Sequence, residues 1–195
     1  MGRRLAAAAL MITLCLGLSS CLGAKNDEDA SKKVAQYYSS LGSMTATVRV
    51  YADYGDRTQE YLMSYEYTAP DGNTVTLIEP EEIAGIKAAL SEDGVTLEFD
   101  GVILETGHLR GTGLTPVECL PALMSAWSGG YISEYGSEKV GGNDCALLTY
   151  LLSQGGVSLE VRTYFEKNTL LPHMAELFSG GERILTCSFE DVNPG

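Results

Sequence analysis

The sequence predicts an α+β fold: a large antiparallel sheet, curled into an incomplete β-barrel, with helices packed on its concave face. Three observations predict it. Much of the chain after residue 43 alternates apolar and polar residues, the mark of strands with one buried face. Asp93-Gly94 and Asp100-Gly101 join such runs as tight hairpins. Two other segments carry apolar residues at helical spacing. A sheet of roughly ten strands must close, curl or be covered, and amphipathic helices are suitable covers.

The chain opens with Arg3 and Arg4, an apolar run of about 14 residues, and small residues. That is the pattern of a secretory signal. The run is shorter than the roughly 20 residues a spanning helix needs. It ends in Leu18-Ser19-Ser20-Cys21, which resembles the lipobox of bacterial lipoproteins. The resemblance implies a signal over residues 1–20, cleavage before Cys21, and a diacylglycerol on the Cys21 sulfur. The alternatives are an ordinary signal peptide and an uncleaved anchor. Myristoylation is not expected, because Arg3-Arg4-Leu5-Ala6 after Gly2 offers no Ser or Thr. Residues 21–29 are small, polar and charged and are expected to form a tether. The folded domain is expected to span residues 30–195.

Val34, Tyr37, Tyr38 and Leu41 form the first apolar helical stripe. Asp29 or Ser31 is its expected N-cap, and Gly42 its left-handed end. Met44, Ala46, Val48 and Val50 then alternate with polar neighbours as a strand. Tyr61, Met63, Tyr65 and Tyr67 make the second strand, and Pro70-Asp71-Gly72-Asn73 turns the chain into Val75 and Leu77. Glu81-Glu82 start a short helix that Gly85 interrupts. Ile86 to Leu90, Val95 to Phe99 and Val102 to Leu104 form a meander through the two Asp-Gly turns. Residues 109–114 read as loop. Thr115 caps a central helix with Pro116 at its first position, and Pro121 sits one turn on. Leu120, Leu123, Met124 and Trp127 are its stripe, and Gly129-Gly130 closes it. Cys145 to Leu152 is apolar on both faces, so both are expected to be covered. Val157 to Phe165 alternates, Lys167-Asn168 turns, and Met174 to Phe178 pairs with Ile184 to Phe189 around Gly180-Gly181.

The chain carries 13 basic and 26 acidic residues. Loss of Arg3 and Arg4 with the signal leaves a formal charge of −15. Such a surface excludes nucleic acid as a partner, because phosphates repel it. It also repels anionic headgroups, so membrane attachment is expected through the acyl chains alone. Cys119, Cys145 and Cys187 remain in the domain. Three thiols cannot all pair internally. They read as small buried hydrophobes, with a disulfide between two of them open in an exported protein and no pair chosen by the sequence.

The order of these elements resembles the bacterial lipoprotein-carrier superfamily of the LolA/LolB type, which includes RseB-like regulators. The residues that carry the resemblance cover most of the mature chain. They are the first helix and strand Ser43 to Ala52, the Pro70-Asp71-Gly72 turn, and Pro80 to Ile86. Phe99-Asp100-Gly101-Val102 is similar to the family's Tyr-Asp-Gly hairpin. Thr115-Pro116, the run Tyr164 to Pro172 and the terminal Phe189 to Asn193 also fit. The soluble carrier of that family has no lipid anchor, and this chain departs from it there. Among anchored relatives the chain resembles GerS-like germination lipoproteins of spore-forming bacteria. That resemblance implies a non-catalytic, lipid-anchored protein on the outer face of the cell membrane, supporting a cortex-processing amidase. A carrier or acceptor of lipid or lipoprotein, and an RseB-like stress sensor, are the alternatives.

No GxSxG, HExxH or phosphate loop occurs, and Gly111-Thr112-Gly113 lacks the context of a nucleotide fingerprint. His108 and His173 lie on different segments and read as loop histidines. Glu81-Glu82 and Glu92-Asp93 are turn acids. No enzyme, metal or cofactor is therefore expected beyond the lipid on Cys21. A hydrophobic cavity is implied by the family between the central helix and the sheet. Its candidate lining is Met63, Tyr65, Phe99, Leu104, Leu123, Met124 and Trp127. Its expected occupant is a hydrophobic ligand or an apolar segment of a partner. Tyr and Met suit adaptable binding surfaces. Cys21→Ser is expected to release the domain from membranes or leave an unprocessed precursor. Labelling with a palmitate analogue checks this, and equal labelling of both proteins counts against lipidation at Cys21.

Overall fold

The computed structural model describes residues 19–69, 72–91, 94–107, 114–154 and 156–195. Residues 1–18, the turn residues Pro70, Asp71 and Asp93, Glu92, the segment 108–113 with its His108, and the side chain of Cys21 lie outside the described part. Helix α1 is Ser19–Ser39 and helix α2 is Pro116–Gly129. Eleven strands follow one another: β1 Ser43–Asp53, β2 Thr58–Thr68, β3 Gly72–Glu79, β4 Lys87–Ser91, β5 Gly94–Phe99 and β6 Val102–Gly107 precede α2. After it come β7 Ile132–Val140, β8 Asn143–Gln154, β9 Val157–Glu166, β10 Pro172–Ser179 and β11 Glu182–Pro194.

All eleven strands form one sheet in the order β6-β5-β4-β3-β2-β1-β11-β10-β9-β8-β7. Every pairing is antiparallel. The sheet is open, with β6 and β7 at its edges. The expected fold class stands. Two meanders meet where the first strand pairs with the last, with Val48 opposite Phe189 and Val50 opposite Cys187. The chain therefore leaves the sheet at one edge and re-enters at the other. α2 lies on that crossing and buries Cys119, Leu120, Leu123, Met124, Ala126 and Trp127 on the inner face.

The alternation read from the sequence sets which side chains point inward. Met44, Ala46, Val48, Val50 and Ala52 of β1 are buried in turn. Asp100 and Gly101 both adopt left-handed φ, 50° and 76°, as a tight β5–β6 hairpin turn requires. Thr115 caps α2, and Glu118 completes a capping box: its N–H donates to Thr115 Oγ1 at 3.2 Å, while the Thr115 N–H donates to Glu118 Oε2 at 3.2 Å. Gly130 ends the helix through close approach, since a Cβ there would lie 2.5 Å from the Ala126 carbonyl oxygen.

Four expectations need correction. The backbone of residues 21–29 is helical and continuous with α1, which bears on the cap expected for that helix. Ala24, Lys25, Glu28 and Ala30 favour helix, and Lys32 pairs with Glu28 at 2.6 Å, one turn apart. Ser31 therefore caps nothing; its hydroxyl donates to the Glu28 carbonyl within the helix. Gly42 is not left-handed; the chain turns at Ser40 and Leu41, whose N–H groups bond to Tyr37 and Tyr38 carbonyls. β7 has no counterpart among the expected strands, because an edge strand paired on one side carries few buried residues. Finally, β8 is covered on both faces only from Cys145 to Tyr150, and Leu151 is exposed.

Tyr150 belongs to the core, yet its hydroxyl has no partner among the described residues. Burial pushes its pKa up, so it stays neutral. An unmade buried hydrogen bond costs about 1–3 kcal/mol. Tyr150→Phe is therefore expected to leave stability unchanged or raise it by about 1 kcal/mol, as urea unfolding followed by circular dichroism would read.

Candidate functional site

The inner face of the sheet holds five of the seven candidate residues. Met63 and Tyr65 of β2 point inward from the strand's alternation, and both are buried. Leu123, Met124 and Trp127 lie on the stripe of α2 and are buried too. Tyr65 donates its hydroxyl to Asn73 across the β2–β3 pair, which satisfies the one polar atom it takes inside.

Around Trp127 the space is occupied by rings. Its centroid lies 5.2 Å from Tyr38, 5.5 Å from Phe165 and 5.6 Å from Phe189. Tyr38 reaches Phe165 at 5.3 Å, closing a triangle of α1, α2 and β9. Such tilted ring pairs add to the gain from burial. The indole N–H donates to Thr163 Oγ1 at 3.0 Å, and the Tyr38 hydroxyl donates to the Leu170 carbonyl at 3.1 Å. Desolvation pushes the Tyr38 pKa far up, so the phenol remains a neutral donor. The two helices are thus joined to the sheet here by aromatic packing with both polar tips satisfied.

Phe99 and Leu104 lie elsewhere. Phe99 is 49% exposed and Leu104 is 59% exposed. The β5–β6 register explains it: Leu97 opposes Leu104 and Phe99 opposes Val102 on one face. Val95 on that face is buried and packs on the core, but burial decreases along the hairpin toward its tip. The helical cover ends before the tip. Val102 is 69% exposed there, and Ile103 on the opposite face is 64% exposed. An apolar strip at the free edge of the sheet results. Its members were readable as apolar, but their exposure depends on how far α2 reaches.

The remaining chemistry is sparse among the described residues. No group of three His, Cys, Asp or Glu side chains is placed to hold a metal. His173 Nδ1 lies 3.7 Å from Glu166 Oε1, at the β9–β10 turn. Glu81 and Glu82 sit exposed on a single helical turn, Glu81–Ile83. The three cysteines are free and buried. On the outer face Glu176 is nearly buried; it accepts from Tyr164 at 3.1 Å and pairs with Arg183 at 2.5 Å. Burial and the Glu176 charge push the Tyr164 pKa up to about 12. No helix among the described residues is long and apolar enough to cross a membrane.

Trp127→Ala removes the ring that three others pack on and strands the Thr163 hydroxyl. It is expected to cost about 3–5 kcal/mol, measured by urea unfolding. A loss below about 1 kcal/mol would show that the indole is not core.

No protein-family model and no curated sequence matches the chain. Solved structures do. An uncharacterized conserved protein from Thermus thermophilus is similar over 86% of this chain and 86% of its own, at 11% identity and a TM-score of 0.52. A LolA superfamily protein from Nitrosomonas europaea covers 86% of this chain and 92% of its own, at 11% identity and a TM-score of 0.45. A chain in the structure of the CwlD amidase from Clostridioides difficile in complex with the GerS lipoprotein covers 84% and 93%, at 16% identity and a TM-score of 0.38. At 11% identity the likeness to the Thermus protein is one of fold alone.

Proposed function

We propose that the protein is a lipid-anchored, non-catalytic envelope protein that binds a partner enzyme at the open end of its sheet, and that the partner is a cortex-processing amidase of spore germination. The observation that carries the binding reading is the strip Phe99, Val102 and Leu104, with Ile103 behind it. Large apolar side chains exposed together mark contact surfaces. Val102 and Leu104 also lie on β6, whose outer edge pairs with no other strand among the described residues. A free edge accepts a further strand, with main-chain bonds giving affinity and alternate side chains giving specificity. Edge strands are commonly protected by charge or proline; β6 carries its charge at Glu105, and Val102-Ile103-Leu104 carries neither.

The partner class rests on the sequence resemblance to GerS-like proteins. The anchor rests on Leu18-Ser19-Ser20-Cys21, and the charge of the mature chain leaves the acyl chains as the means of attachment. A lipid carrier needs open space between helices and sheet, and around Trp127 that space is filled by Tyr38, Phe165 and Phe189. This favours a protein partner over a lipid.

The test is capture of the partner from envelopes by the full chain, before and after Leu104→Glu. A charge placed at the centre of an apolar contact is expected to weaken capture of the amidase about 10- to 100-fold while the thermal midpoint stays put, because the side chain is already exposed. Unchanged capture, or recovery of bound lipid with no enzyme, overturns the proposal.

A further inference from the structure

Cys119 of α2 and Cys187 of β11 stand Sγ to Sγ at 3.6 Å, both fully buried. They are 68 residues apart in the chain. Cys119 lies one turn into its helix, where its thiol also reaches the Pro116 carbonyl at 3.0 Å. Cys187 lies at the centre of the sheet, opposite Val50 of β1 and Ala175 of β10. Cys145 is on β8, and its sulfur bonds weakly to the Asn143 carbonyl at 3.7 Å. The structure thus brings two of the three thiols together and leaves the third apart.

We infer that Cys119 and Cys187 form a disulfide in the mature protein, a staple that locks the crossing helix α2 onto the central strand. The inference rests on the exported location proposed above, since thiols stay reduced in the cytosol and pair outside it. A disulfide bond is about 2.05 Å long, so closing the gap needs a shift of about 1.5 Å shared by two side chains. The reaction takes two electrons and two protons from the thiols. The oxidant is a dithiol–disulfide exchange partner of the envelope, whose own disulfide is reduced to two thiols. One cysteine attacks it as thiolate to give a mixed disulfide, and the other then displaces the partner. Hydrogen bonding to Cys187 and burial push the Cys119 thiol pKa well up, and both sulfurs are fully buried, so an exchange partner cannot reach the folded pair. Exchange therefore precedes closure of α2 over the sheet. Once formed, the link is shielded from solvent and from reductant. It closes a loop containing all of β7 to β10, so it restricts the unfolded chain strongly.

The test uses the full chain extracted in detergent from envelopes, with every step free of reductant. Intact mass two units below the reduced value, and a peptide joining Cys119 to Cys187, are expected, with Cys145 alkylated after denaturation. Protein reduced while unfolded and then refolded in reductant is expected to melt roughly 10 °C below the oxidised protein. Cys187→Ala should abolish that difference, and Cys145→Ala should keep it. The same extract is also reduced, unfolded and refolded in oxidised and reduced glutathione. If the pair stays reduced in both settings, the disulfide is overturned while the exported location stands. If it forms in glutathione but is reduced as isolated, the native disulfide is overturned and the exported location fails with it. A link involving Cys145 overturns the assignment of the pair.

Discussion

The pairing of β1 with β11 is the constraint on which the rest of the architecture depends. The first and last strands of the sheet lie side by side at its centre, tied out to the end where the Gly195 N–H donates to the Ser43 carbonyl at 3.0 Å. Each carries one meander outward. Since the meanders grow in opposite directions, the chain between β6 and β7 must cross the sheet, and α2 lies on that crossing. The helix is thus a consequence of topology as much as of its own stripe. Pairing strands so distant in sequence is entropically slow to form, which places closure of α2 late in folding.

The two faces of the sheet are held by different physics. The inner face is apolar, and its polar atoms are few and mostly paired, as with Trp127 to Thr163 and Tyr65 to Asn73. The outer face carries charge. Arg49 of β1 reaches Glu60 of β2 at 2.5 Å, with Glu79 at 3.9 Å and Glu190 at 4.0 Å. One guanidinium so ties β1 to β2, β3 and β11. These groups are partly exposed, so each pair contributes little to stability. Their effect is on register and on the sign of the outer surface. Stability comes from the inner face.

Burial is uneven along the sheet. It is complete under α1 and α2 around Trp127 and fades through Val95 and Leu97 to Phe99 at the hairpin tip. A protein packed with rings around Trp127 and bare at its apolar margin can offer the margin to a partner without opening that packing. That arrangement separates the residues that hold the fold from those that face outward, and it divides the expected cavity lining into a buried group and an exposed one.

The sequence by itself determined the fold class, the two helical stripes, most strands and the closing hairpin, because period and turn chemistry are local properties. Asp100-Gly101 adopts its left-handed turn wherever the hairpin lies, and Thr115-Pro116 with Glu118 caps a helix in any context. Even β7 lacks a sequence signal for a local reason: an edge strand such as Ile132–Val140 buries too little to alternate. What depends on distance in the chain was decided only by tertiary structure. Strand order follows from β1 meeting β11, which no local pattern encodes. The exposure of Phe99 and Leu104 depends on where α2 ends its crossing, although their spacing matches that of buried strand residues. The choice of Cys119 and Cys187 among three equivalent thiols follows from a helix laid over the central strand, since proximity across 68 residues arises only when the sheet has closed beneath it.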